Sequence, residues 1–528
     1  MRVKRPGVWL FVTAFGFVLV RTAWLCDDAF ITLRTVSNFV GGCGLTWNTA
    51  ERVQSYTHPL WLFALSAVYA ATRDVFVPVL VLSMAFSLAA VLVFALYVAR
   101  TGLAAIPGIL ALTLSRAFVD YSTSGLENPL THLLLAWFFA LFLGMPVPEK
   151  ARTLRAISLV ACLLALNRMD AFLLVGPAIG LRLWSEGRAR GFSAGAREVL
   201  VAFVPFVLWE AFSLFYYGSL VPNTAYAKLG TGLGTVELSR QGGAYLLESL
   251  RTDPVTLPLI AAAILLPFAT RRPEHAAGAS GIGLYALYVV RVGGDFMSGR
   301  FLAAPFFVAV MLLCSARAPE SRTARLGLFA AAAGLLVLAV SRPLCPIRSG
   351  RNYGRDPNDT IDLRGIADER RFYYAYTGLL REDPSKTPLN HPWALEGFEA
   401  RKAGVSVQRW RAVGLRGFAA GPGVYVLDQV ALADPLLARL PARQDRPWRI
   451  GHFERVIPDG YLETLTSGEN VLVDRRLASY YDHIRTVVRG PLFGRERFAA
   501  IWNLNLGRYD ELIDVEAYRH PAAPAPAR

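Results

Sequence analysis

Along this chain the apolar positions gather in long uncharged runs, the pattern of membrane-spanning helices rather than of soluble elements. Val8–Cys26 is interrupted only by Arg21 and follows a basic start, MRVKRPG. No small-x-small cleavage site appears, so the run reads as an uncleaved first helix with its N-terminus in the cytoplasm. Val75–Ala99 is 25 residues long, more than the roughly 20 needed to span. Further candidates are 102–119, 129–147, 156–167, 171–184, 199–217, 254–270, 276–292, 301–316 and 326–341. The run Pro59–Thr72 has only 14 residues and reads as a re-entrant or interfacial helix.

Charge placement chooses among the short runs. With 59–72 left out and the other eleven crossing, basic residues fall in every cytoplasmic connection. These hold Arg100; Lys150, Arg152 and Arg155; Arg182, Arg188, Arg190 and Arg197; Arg271 and Arg272; and Arg317, Arg322 and Arg325, as the positive-inside rule asks. Counting 59–72 as a crossing would move those clusters outside. Asp27, Asp28, Glu51, Asp74, Asp120, Glu127, Glu237, Glu248, Asp253 and Asp295 then lie at the outer side, with Asp170 in a tight outer turn. The odd number of crossings sends the C-terminal part outside.

Composition agrees. Apolar residues make up 54% and charged residues 18%, against roughly 25% charged in soluble domains, and the mean hydropathy is +0.37. A soluble cytosolic enzyme and a largely disordered chain are both excluded. The net charge of +15 reads as topology, not as nucleic-acid binding. Residues 1–341 hold 27 Lys+Arg and 17 Asp+Glu, whereas 342–528 hold 28 and 23, a soluble density. The expected fold is an α-helical polytopic membrane protein: a transmembrane catalytic domain over 1–341 with about eleven helices, then an extracytoplasmic α/β domain over 342–528. In the latter, Gly423–Asp428 reads as a strand and Val430–Leu440 as a helix. Trp393, Trp410, Trp448 and Trp502 supply either core or an aromatic surface that holds a glycan, and the Pro/Ala-rich tail His520–Arg528 reads as disordered. Five cysteines without a CxxC spacing make neither a disulfide scaffold nor a zinc site. Cys26 and Cys43 share an outer loop, where a bridge and free thiols are both open; Cys162 and Cys314 read as packing residues.

The outer loops carry the candidate chemistry. Asp27-Asp28 stand at the mouth of the first helix. Each carboxylate raises the other's pKa, and partial burial raises it further, which suits a general base that deprotonates a sugar hydroxyl. Capping a helix over Ile31–Val40 is the plainer use, and both uses are compatible. The loop continues through Arg34, Asn38, Gly41-Gly42-Cys43-Gly44, Trp47-Asn48, Glu51-Arg52 and Ser55-Tyr56-Thr57-His58-Pro59-Leu60-Trp61. Glu51, Arg52, Tyr56, His58 and Trp61, with Glu127 from the segment Tyr121–Asn128, are candidates for holding sugar. Tyr56 and Trp61 fit an interfacial aromatic belt equally well. Lys228 and Arg300 are isolated cations on an acidic side. With Asn223 and Asp295 they are candidates for a donor phosphate; for Arg300 an ion pair with Asp295 or snorkelling to headgroups is the alternative. No GxxxxGK[ST] and no GxGxxG between strand and helix occurs. An outward-facing transfer therefore points to a donor that arrives through the membrane, a polyprenyl-phosphate sugar.

The order of these motifs resembles GT-C membrane glycosyltransferases, and most specifically the actinobacterial-type terminal arabinofuranosyltransferases, whose donor is decaprenyl-phosphoryl-arabinose. The residues that carry the resemblance are Asp27–Ile31, Gly42–Val53, Tyr56–Trp61, Ser124–Glu127, Pro222–Lys228, Gly293–Phe301, Gly365–Arg370 and Arg449–Leu462. Asn167-Arg168-Met169-Asp170 departs from the family's Arg-Pro-[Glu/Asp]-Gly, and Ser55 replaces a common Gly. The resemblance implies transfer of a sugar, arabinofuranose, to a cell-envelope glycan or protein on the outer face of the plasma (inner) membrane, with the family's catalytic Asp in the pair Asp27-Asp28. A transferase for mannose or another hexose, a lipid or ion transporter, and a sugar-binding scaffold without turnover are the competing readings. A transporter would favour internal repeats and midplane helix breaks; no repeat is visible, and the short pair 156–167 and 171–184 is its best feature. No cofactor is assigned; the acidic outer loops suit Mg²⁺ or Ca²⁺, but no ligand set is recognisable.

Overall fold

The computed structural model describes residues 6–144, 153–350, 353 and 360–521. The basic residues of 1–5, Lys150, Arg152 and the tail beyond 521 lie outside the described residues. Polar caps start several of the apolar helices. Thr101, Thr153 and Ser321 accept the N–H groups of Ala104, Ala156 and Ala324, satisfying donors that a helix start leaves open. Proline opens the helices Pro59–Thr72 and Pro273–Arg291, where its missing N–H costs nothing.

Among the described residues two helices, Val77–Val98 and Arg322–Ser341, are long and apolar enough to cross a membrane singly; up to five spans result if each of three bent pairs counts as one. Five further apolar helices, Pro59–Thr72, Gly102–Leu114, Asn128–Leu143, Leu154–Asn167 and Arg300–Ser315, run 10–17 residues, whereas Phe172–Arg190 and Pro273–Arg291 have 19 each. The protein is thus a helical, membrane-embedded one, several of whose apolar helices fall short of the roughly 20 residues of a straight span. One break has a local cause, a buried polar junction. The run 102–119 breaks at Ser115, whose extended backbone ends Gly102–Leu114 and whose Oγ caps Arg116–Asp120 by accepting the Phe118 N–H at 3.1 Å. Asp253 locks this break, accepting the Ser115 hydroxyl at 3.0 Å and the Ala117 N–H at 3.1 Å. Every residue from Ser115 to His132 is buried.

The chain forms two compact units, and neither is continuous. The first comprises 1–26, 74–206 and 236–386; the second comprises 27–73, 207–235 and 387–528. The units therefore do not divide at 341. Residues 342–386 join the membrane helices, and 27–73 join the C-terminal segment. In the first unit, Arg300–Ser315 is buried along most of its length, while Arg322–Ser341 leaves Leu326, Leu328, Phe329 and Val337 exposed, as a lipid-facing helix does.

The second unit packs around a core that includes Trp47, Val426, Leu437, Tyr461 and Ile484. Its sheet has two parallel strands among the described residues, β1 (Val407–Trp410) and β2 (Tyr425–Asp428), paired Val407 to Tyr425 through Trp410 to Asp428. The helix Gly414–Ala420 lies on the crossover between them, as parallel pairing requires. Strand Gly423–Asp428 is thus found, but Val430–Leu440 is not a helix. Asp428 takes the N–H groups of Val430 and Ala433, Asp434 takes those of Leu436 and Leu437, and Ala431 stands at φ 65°. Two carboxylates outcompete the helical ladder, leaving only a 3₁₀ turn at Leu437–Arg439. The amphipathic helix Arg475–Arg489 buries Leu477, Tyr480, Tyr481, Ile484, Val487 and Val488, one face at helical spacing. Cys26 and Cys43 are not bridged; Cys26 is buried and Cys43 exposed.

Candidate active site

The helix Asp27–Val40 starts at the acidic pair itself, so both carboxylates lie in its first turn, where the helix dipole favours them. The Asp27 carboxylate does not cap its own helix. It accepts the N–H of Gly414 at 3.0 Å and of Leu415 at 2.7 Å, two donors exposed at the start of Gly414–Ala420. Glycine is required there: a Cβ at 414 would fall 1.9 Å from the Asp27 carbonyl oxygen. Asp27 is 6% exposed, and burial pushes its pKa up to about 6, with the neighbouring Asp28 charge adding to the rise and the two amides opposing it. Asp28 is half-buried. The pair thus offers one anchored carboxylate, basic yet ionised at neutral pH, beside a more open one.

The loop that follows is built into the same unit. Arg34 donates to the carbonyls of Trp47 at 2.8 Å and Val424 at 2.8 Å, also bonds Gly417, and lies over the Trp47 ring at 4.6 Å. Asn48 exchanges two bonds with Val426 of β2, at 3.1 and 3.0 Å. The residues expected to hold sugar are mostly occupied here. Glu51, 2% exposed, accepts from Tyr425 at 2.8 Å and Arg489 at 3.3 Å; burial raises its pKa against the pull of Arg489. Arg52 donates to the carbonyls of Val487 and Gly490. Tyr56 bonds Tyr217 at 2.8 Å, and Tyr217 donates onward to the Leu45 carbonyl. His58 meets Thr32 at 2.9 Å, and Trp61 is fully buried. Asn223 donates to the carbonyls of Ala431, Leu432 and Asp434, holding the turn that replaces the expected helix. Lys228 is half-buried in the helix Asn223–Leu229, and its charge is felt by His452.

In the first unit, Glu127 is the hub of a buried ion network. It is 1% exposed and meets Arg168 at 2.7 Å and Arg300 at 3.3 Å. Arg168 also grips Asp170 through two bonds, at 2.8 and 2.9 Å, and Asp170 accepts the Tyr285 hydroxyl at 3.1 Å. Arg300 reaches Asp295 at 3.5 Å. Three carboxylates and two guanidiniums are thus joined, and the ion pair between Arg300 and Asp295 is present within a larger set. Around Glu127 in the sequence, buried polar atoms of Thr123, Ser124, Asn128 and His132 have no hydrogen-bond partner among the described residues, a condition that a polar ligand or water relieves. A second network joins Arg116 to Asp368 at 2.7 Å and Arg370 to Asp120 at 2.9 Å, with the Tyr353 hydroxyl on Asp368 at 2.8 Å.

Arg168 and Asp170 were visible in the sequence as a tight outer turn that departs from the family motif, and the Arg116–Asp368 pairing left a single trace. Its one signal was an arginine at 116 inside an otherwise uncharged run. Among the described residues, no group of three or more His, Cys, Asp or Glu stands together to hold a metal ion.

The chain is a membrane-embedded glycosyltransferase, and the likeness that establishes the class spans nearly all of it. The particular likeness is to terminal beta-(1->2)-arabinofuranosyltransferases. The chain is 28% identical to that of Mycobacterium tuberculosis over 86% of this chain and 85% of the relative. It is 29% identical to that of Corynebacterium glutamicum over 54% of this chain, spanning about half of that relative, 47%. Among solved structures, ArnT from Cupriavidus metallidurans bound to undecaprenyl phosphate matches with a TM-score of 0.43 and 15% identity, over 82% of this chain and 77% of that one. No protein-family profile matches the chain.

Proposed function

We propose that this glycosyltransferase moves an arabinofuranosyl unit from a polyprenyl-phosphate donor to a cell-envelope glycan on the outer face of the plasma membrane. The observation that carries the reading is the likeness to a terminal arabinofuranosyltransferase over 86% of the chain. An acceptor hydroxyl oxygen attacks the anomeric carbon; the bond from that carbon to the phosphate oxygen breaks, and the lipid phosphate leaves with the electron pair. A phosphate leaves as a stable anion and needs little protonation. The hydroxyl is the difficult partner, and Asp27 takes its proton, with Asp28 orienting the acceptor. Lys228 and Arg300 meet the phosphate charge as it develops.

Eleven crossings with the C-terminal part outside are the topology of this reading, supported by the basic residues in every inner connection. The test is transfer by the purified protein from decaprenyl-phosphoryl-arabinofuranose to an arabinan acceptor, with product mass read by mass spectrometry and the assay run with Mg²⁺, with Ca²⁺ and with chelator. Arabinosylated product that disappears in Asp27→Asn is expected. Transfer only from a hexose donor, or lipid movement without transfer, would overturn it.

A further inference from the structure

The second unit contains a cavity of about 400 Å³, within the range of small-ligand sites (about 300–1,000 Å³), that none of the chemistry above uses. Its walls come from three places in the sequence: Tyr226 from the 207–235 segment, Arg439 from the 3₁₀ turn, and Tyr480, Asn505 and Asp510 from the C-terminal helices and the turn after them. The floor is aliphatic, with Ile484 among its residues.

The polar groups are only partly used by the protein. Arg439 gives one nitrogen to the Pro435 carbonyl at 2.7 Å and lies over the Tyr226 ring at 4.5 Å. Asn505 spends its amide nitrogen on the carbonyls of Gly218 and Ile501, at 2.8 Å each, which leaves its carbonyl oxygen as an acceptor. Neither the Asp510 carboxylate nor the Tyr480 hydroxyl makes a hydrogen bond to another described side chain or backbone group, although Tyr480 is 2% exposed. Asp510 is brought there by Gly507, at φ 67°: a Cβ at 507 would lie 2.8 Å from the Asp510 carboxylate.

The cavity thus carries one cation and one anion, hence no net charge, three tyrosine rings with Tyr217 the third, and an amide acceptor; Asn505 and Asp510 stand exposed at its rim. An acyl chain would strip water from Asp510 and Asn505 and return nothing. A phosphate would meet Asp510 as a like charge. A neutral sugar unit fits both halves: its C–H face lies on aromatic and aliphatic surface, and its hydroxyls donate to Asp510 and Asn505 and accept from Arg439 and Tyr480.

We infer that this cavity of the second unit, walled by Tyr226, Arg439, Tyr480, Asn505 and Asp510, binds a neutral sugar unit of the acceptor glycan. The inference rests on the reading of the chain as a glycan-modifying transferase, and names where that glycan is gripped apart from the Asp27 carboxylate.

The test is calorimetric or saturation-transfer NMR binding of a short arabino-oligosaccharide to the full chain in lipid nanodiscs, without donor. Wild type is expected to bind. Asp510→Asn, which keeps shape, and Tyr480→Phe, which keeps the ring, should each weaken binding, Asp510→Asn by about tenfold to a hundredfold as for a lost hydrogen bond to a charged group. Unaltered affinity in both cavity variants, no binding by the wild type, or displacement of the oligosaccharide by a short-chain lipid would overturn the inference. A wild type that transfers arabinose with oligosaccharide binding insensitive to the cavity variants sinks this inference alone; one that binds through the cavity and transfers no arabinose sinks the proposed reaction alone.

Discussion

Asp27 and Gly414 are 387 residues apart in sequence and in contact in space: the carboxylate accepts the glycine N–H at 3.0 Å, and the Asp27 carbonyl stands where a Cβ at 414 would have to go. Gly414→Ala should push the Gly414–Ala420 helix away and release the carboxylate from its two amides. A misplacement of about 1 Å costs roughly a hundredfold in rate, so kcat should fall by that order with the donor KM little changed. Wild-type kcat in this variant would mean that the amide anchor does not position the base.

The pH profile follows from the same carboxylate. Its pKa stands at about 6, and only the ionised form accepts a proton. The rate should therefore be lost as pH falls through about 6 and be level just above it. Asp27→Asn should lower kcat by about a hundredfold to ten-thousandfold, the usual contribution of a general base, and should abolish that limb. Donor binding should survive. A profile flat between pH 5 and 7 would place the base elsewhere.

The Glu127 hub makes a prediction about stability. Glu127→Ala leaves Arg168 and Arg300 without their shared carboxylate in a buried place. Breaking a buried pair from one side costs about 3–5 kcal/mol, so thermal unfolding of the detergent-solubilised protein should shift down by several degrees. Glu127→Gln, which still accepts an N–H through its amide oxygen, should shift it less. Equal melting of all three proteins would show that the network contributes nothing to stability.

Lys228 and Arg300 are expected to differ in kind. Lys228→Ala should weaken donor binding or turnover by roughly tenfold to a thousandfold with the melting temperature retained, since Lys228 is half-buried. Arg300→Ala should show the same kinetic loss and a lowered melting temperature, because Glu127 and Asp295 lose a partner. If both variants turn over a polyprenyl-phosphate sugar at the wild-type rate, neither cation meets the phosphate.

Orientation is tested by placing a cysteine after Val340 in a cysteine-free background. An impermeant maleimide should label it from outside intact cells. Labelling only after permeabilisation would invert the topology and with it the outward-facing transfer.

The sequence carried the motif order, the 59–72 helix to the residue and β2 almost to its bounds, because each depends on neighbours in the chain. It offered the Arg300–Asp295 pair but not the networks around it. Arg168 meets Glu127 across 41 positions and Arg370 meets Asp120 across 250, distances at which spacing holds no signal. Val430–Leu440 misled for the opposite reason: its Leu and Ala residues favour a helix, and the two carboxylates that divert its amides, Asp428 just before it and Asp434 within it, are each unremarkable as a sequence letter. The loop at 45–61 reads as a sugar-facing surface by composition, yet Glu51, Tyr56 and Trp61 are inside. Composition reports what a side chain can bind and not which partner reaches it first.

The threading of residues 27–73 with 387–528 sets a timetable for biosynthesis. Asp27 leaves the ribosome early, while the amides of Gly414 and Leu415 that hold it come 387 and 388 residues later. At about 5–20 residues per second that is a wait of roughly 20–80 s. Through that interval the helices of the first unit are already being delivered to the bilayer, and the acidic corner stays loose. With Asp27 as the proposed base, a nascent chain is inserted before it is competent, and transfer waits until the last quarter of the polypeptide has arrived.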